Sequence, residues 1–178
     1  MIRMWKVATA VAVASSMAFA TTAATAAPQA AKPKVVKVNV TMKGDLSWES
    51  SDTLITVKTV KGASAKKTDV FTSLTGSGRA AVPSSTCTVF AGDGVLKGKT
   101  GTLTFTIATG AQACGAADAA PAMVNVDASA TVKSGTGSFK GATGTLKIKG
   151  SFLVKSVAAG TKETDQFTVT FTGDVKTK

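Results

Sequence analysis

The chain has 178 residues, with 21 lysines and arginines against 10 acids for a formal net charge of +11, and it has no histidine and no tyrosine. The missing imidazole excludes a serine triad built on a histidine base and removes the commonest metal ligand. Two isolated cysteines, Cys87 and Cys114, lack metal-ligand spacing, so no metal, no cofactor and no catalytic residue is assigned.

The first element is residues 1–26. Arg3 and Lys6 precede an uncharged run of 14 residues, Val7 to Ala20, and Ala24-Thr25-Ala26 ends the segment in small residues. This is the pattern of a cleavable secretory signal peptide, with the cut expected after Ala26 because Ala24 and Ala26 supply the small side chains that signal peptidase requires. A spanning helix needs about 20 apolar residues, so no transmembrane segment is expected. The expected location is secreted, extracellular or cell envelope. In such a compartment an even cysteine count predicts a Cys87–Cys114 disulfide. It would constrain the unfolded chain by about 3 kcal/mol. Loss of Arg3 and Lys6 leaves 18 lysines, one arginine (Arg79) and 10 acids, a net +9. The lysines are spread along the sequence. That suits solubility and protection of strand edges, and the sharper alternative is a lysine-driven attraction to anionic polymers.

Residues 27–33, rich in alanine and proline, read as a flexible lead-in to a single domain over 34–178. From there the pattern has period two. Val36, Val38, Val40 and Met42 alternate with polar residues, as do Leu103, Phe105 and Ile107, then Val124 to Val132. Leu146, Ile148, Phe152 and Val154 share a face, and Phe167, Val169 and Phe171 alternate with threonines. Such alternation predicts antiparallel strands with one buried and one wet face. Weaker strands are expected over residues 53–60, 68–75 and 86–91, for a total of about eight. Glycine-containing clusters read as turns: Lys43-Gly44-Asp45, Gly76-Ser77-Gly78, Gly92-Asp93-Gly94, Gly110, Gly135-Thr136-Gly137 and Ala159-Gly160-Thr161. Gly150, inward-facing in mid-strand, marks a bend or barrel corner. The expected fold is an all-β antiparallel barrel of about eight strands, with a two-sheet sandwich as the alternative.

Residues 94–103 echo residues 137–146 at an offset of 43 (GVLKGKTGTL against GSFKGATGTL). The echo predicts one corner used twice, with Leu96 or Phe139 packed inward before a Gly-x-Thr-Gly turn. The second copy, with Gly135, Thr136, Gly137, Phe139, Ala142 and Gly144, resembles the Gly-Thr-Gly-x-Phe-x-x-Ala-x-Gly signature of dirigent proteins, a looser form of which occurs in allene oxide cyclases. Gly78-Arg79-Ala80 is similar to a further dirigent segment. The resemblance covers Val124–Val175 best. It implies an eight-stranded barrel, commonly a homo-oligomer, whose interior holds a small ligand. It transfers no catalytic residue.

Two acidic clusters stand out. Asp45, Glu49 and Asp52 surround Trp48, the arrangement of a small-ligand or sugar site with an aromatic platform. The plainer reading makes this a solvated connection whose tryptophan packs over the barrel end. Glu163 and Asp165 read as solvated tip residues of a turn. Asn39-Val40-Thr41 matches a glycosylation sequon but falls inside an expected strand. The expected function is a secreted, non-enzymatic barrel with a binding or structural role. The alternatives are a cyclase or coupling-guide barrel acting on a small apolar ligand in its interior, and a binder of anionic polymers.

Overall fold

The computed structural model describes residues 32–82, 86–115 and 121–178. The expected signal peptide and most of the lead-in lie outside the described residues. Among the described residues, nine strands follow in chain order: β1 Lys34–Ser50, β2 Leu54–Ser64, β3 Ser73–Ala81, β4 Cys87–Gly98, β5 Gly101–Ile107, β6 Gln112–Cys114, β7 Ala122–Gly135, β8 Thr143–Val154 and β9 Lys162–Thr177. A 3-10 turn, Gly137–Phe139, joins β7 to β8.

All pairings are antiparallel, and the ladder runs β3-β2-β1-β9-β8-β7-β5-β4 before β4 pairs back onto β3. This last pairing closes an eight-stranded barrel and disposes of the sandwich alternative. β6 is the extra strand. The chain leaves the ladder after Ile107, turns through Gly110 at φ +89°, and rejoins as β6 in the same gap between β4 and β7. The longest seam joins β1 to β9, from Lys34 opposite Thr177 to Glu49 opposite Lys162. Alternation along β1 sends Val38, Val40, Met42, Leu46 and Trp48 inward and Lys37 and Lys43 outward.

Three of the expected turns are not turns. Gly44, Gly76, Gly78, Gly92 and Gly94 sit in mid-strand, and they meet across the ladder as Gly44–Gly62, Gly76–Gly94 and Gly78–Gly92. A Cβ on Gly76 would lie 2.8 Å from the Asp93 carbonyl oxygen, and one on Gly78 would lie 2.7 Å from that of Ala91. The wall is therefore too tightly coiled here for side chains on its inner face. The strand bounds move accordingly. β2 runs on to Ser64, β3 begins at Ser73 rather than Thr68, and β4 continues past Ala91 to Gly98. Gly150 lies within β8, and a Cβ there would come within 2.8 Å of the Val169 Cα.

The repeated corner exists at one end of the barrel. Leu96, Phe139, Leu103 and Leu146 are all buried. The first copy makes the β4–β5 hairpin at Gly98–Gly101, and the second makes the 3-10 turn, with Gly137 at φ +58° and Gly141 at φ +69°. The two copies pack together. The Ser138 N–H donates to the Thr100 carbonyl at 2.9 Å, and the Thr102 N–H donates to Thr136 Oγ1 at 3.1 Å. Phe139 then meets Phe71, from the β2–β3 connection, at 4.8 Å between ring centres. With Met42, Leu96, Leu103, Leu146 and Val175 these rings fill this end completely.

Candidate functional site

The other half of the barrel is hollow. A cavity of about 240 Å³ lies between the filled end and the end that carries the disulfide. Its wall includes Leu46, Ile55, Ile107, Phe90 and Phe152, with Trp48 on one side. The reason it is empty lies in the sequence of β3 and β4. Their inward positions here are Gly76, Gly78, Ala80, Gly92 and Gly94. In the filled half the same two strands present Leu74 and Leu96. Five positions with almost no side chain thus leave space that neighbouring side chains do not reach.

The cavity end of the barrel is pinned by short contacts. Cys87 and Cys114 face one another across the β4–β6 ladder and form the disulfide. The bridge ties the short β6 to the barrel wall, where Ala113 and Thr88 contribute to the cavity lining. On the opposite side the β8–β9 connection folds over the end of β1. The Ser50 N–H donates to the Thr161 carbonyl at 2.9 Å, and the Gly160 N–H donates to the Ser50 carbonyl at 2.8 Å. This connection carries Val157 into the lining.

One polar device sits inside this half. Trp48 is 4% exposed and donates from Nε1 to Asp165 Oδ2 at 2.7 Å. Asp165 is itself buried, and its other oxygen lies 3.6 Å from Lys155 Nζ, whose own side chain is largely exposed. A buried carboxylate needs such partners, since an unpaired one carries a heavy desolvation cost. Asp165 is therefore an interior residue of β9 and not a solvated tip. Its neighbour Glu163 also belongs to β9 and accepts the Lys155 N–H at 3.1 Å. The alternating set Asp165, Phe167, Val169, Phe171 was the signal that placed Asp165 inside.

The Trp48 cluster does not converge. Trp48 lies on β1, not in a solvated connection, and strand alternation separates it from its neighbours. Trp48 points inward, Asp45 is exposed on the outer face, and Asp52 is exposed in the turn after β1. Glu49 also faces outward, 2.6 Å from Lys58 Nζ on β2. The hydrogen bond and charge of Lys58 hold the Glu49 carboxyl below its ordinary pKa. The outer acids and the inner indole are thus on opposite sides of the wall.

Among the described residues, no group of three histidine, cysteine or acidic side chains is placed to hold a metal ion, and no helix is long and apolar enough to cross a membrane. Comparison with known proteins finds no matching family model, no similar curated protein and no similar solved structure.

Proposed function

We propose that this chain is an exported, non-catalytic barrel that binds a small apolar molecule in its interior. The observation that carries the reading is the apolar cavity of about 240 Å³ beside Trp48. Apolar cavities of about 150 Å³ accept benzene. The larger volume suits a compact molecule of about ten carbons, a naphthalene or terpenoid skeleton, held by dispersion and shape rather than by many polar contacts. The disulfide and the Ser50-anchored connection support the reading, because both rigidify the hollow end. A preformed cavity lowers the ordering cost of binding. The resemblance of the Gly135–Gly144 corner to dirigent and allene oxide cyclase barrels is part of the same proposal.

The test uses the protein's own fluorophore. Trp48 is the only tryptophan beyond Trp5, which leaves with the export segment, and the chain has no tyrosine. Titration with naphthalene is expected to change Trp48 emission saturably at one site per chain. Ala80→Phe, which projects a ring into the cavity, is expected to abolish the change. Absence of a saturable change would overturn the proposal. Stereoselective conversion of a small polyene or phenol by the purified protein would replace it with the enzyme reading.

A further inference from the structure

The lysines that look scattered in sequence gather at one end of the barrel. Lys34 opens β1 and Lys176 nearly closes β9, with Lys32 and Lys178 just beyond them. The Lys178 N–H donates to the Lys140 carbonyl at 3.4 Å, which joins the second corner to the chain terminus. That corner packs on the β4–β5 hairpin, which carries Lys97 and Lys99. The β2–β3 connection, with Lys66 and Lys67, is held to the same hairpin by the Thr72 N–H on the Lys97 carbonyl at 2.8 Å, and to the corner by Phe71 on Phe139. All nine lysines are exposed, and Asp69 is the one acid within these five segments, a net +8. The described residues of the opposite end, over 48–58, 79–82, 86–90, 112–115, 121–126 and 152–166, have four basic and four acidic residues, a net charge of zero. The molecule is electrically polar along its axis, with the filled end positive and the hollow end near neutral.

We propose that the filled end is a docking face for an anionic lipid bilayer. Two observations favour a membrane over a linear polyanion. The charges are carried on the turns and chain ends that cap the filled end, which suits a plane, whereas nucleic acid is tracked by grooves with aromatic platforms. They are all lysine, the hydrated point charge suited to diffuse attraction, while the one arginine of the barrel, Arg79, lies at the other end. Val70, exposed in the connection that carries Lys66 and Lys67, adds a small apolar contact. Docked this way, the barrel holds its hollow end away from the lipid, where the cavity faces solvent. This inference is independent of what occupies the cavity.

The test is vesicle co-sedimentation of the chain starting at Ala27, which contains every strand of the barrel. Phosphatidylcholine vesicles containing about 30% phosphatidylglycerol are expected to bind it, and pure phosphatidylcholine vesicles are not. Binding should vanish at high salt, as surface electrostatics does. Combined Lys66→Gln, Lys97→Gln and Lys140→Gln is expected to weaken partitioning about 100-fold, at roughly fivefold per lysine near the surface. Lys147→Gln with Lys149→Gln, on the outer wall of β8, should leave it within about twofold. All five side chains are exposed, so folding is preserved and is checked by circular dichroism. Equal binding to both vesicle types, equal loss in the two variants, or capture by soluble polyphosphate or DNA without vesicle binding would each overturn the proposal.

Discussion

The buried Trp48–Asp165 hydrogen bond gives the sharpest test of how the hollow half is held together. Trp48→Phe keeps an aromatic ring but removes the Nε1–H donor at 2.7 Å from Asp165. Asp165 then retains one cation, Lys155 Nζ at 3.6 Å, on a side chain that is 62% exposed. A hydrogen bond to a charged group contributes about 1.5–3 kcal/mol, and the stranded carboxylate adds its own desolvation cost. With the smaller ring, the loss should be about 3 kcal/mol. In a domain of this size that lowers Tm by roughly 10 °C. Asp165→Leu strands the indole N–H instead and should cost about 1–3 kcal/mol. The double variant replaces both partners with apolar groups, so it should be less destabilised than the sum, with a coupling of about 2 kcal/mol. Urea denaturation of the four proteins measures this directly. Single-variant losses that add to within about 0.5 kcal/mol would refute the view that the pair acts as a unit.

Other consequences concern packing and covalent closure. Leu103→Ala, in the filled half, should cost about 4 kcal/mol, whereas Ile107→Ala should cost about half as much because its side chain already faces empty space. Chemical denaturation compares them. Ala80→Phe should raise stability by about 1–2 kcal/mol, since it buries apolar surface without overpacking, and a lower Tm would mean the cavity is smaller than described. Replacing Cys87 and Cys114 by alanine opens a link spanning 27 residues in sequence and should cost about 3 kcal/mol. Hydrogen exchange should then rise in β6 while Leu103 and Phe105 in β5 stay protected. The Glu49 carboxyl should titrate below its ordinary value near 4.5 and return toward it in Lys58→Met, as followed by carboxyl NMR. Because its pKa is lowered on folding, the pair's small contribution is present above the unfolded value and fades as pH falls through the folded one.

Much of the barrel was legible because each wall strand has one wet face. The alternation in residues 36–42, 124–132 and 167–171 marks strands that the structure retains. Glycine was misread for a physical reason. A lone sequence shows Gly76-Ser77-Gly78 as flexible, but the register shows these glycines opposite Gly94 and Gly92, where a tightly coiled wall excludes side chains. The cavity follows from that same register, so it was invisible before the strands were paired. Asp165 was assigned to a turn because acidic residues favour turns, although its spacing from Phe167 and Phe171 already placed it on the inner face. The lysines looked dispersed because the two chain ends, two connections and a hairpin that carry them are distant in sequence. Barrel topology brings them to one pole.

The most direct test of the account is methyl NMR during titration with naphthalene. The account predicts saturable shifts at Ile55, Ile107 and Ile148, which line the hollow half, and none at Leu96, Leu103 or Leu146 in the filled half. Shifts confined to outer-face residues such as Met123 and Leu153, or no saturable shift at all, would contradict it.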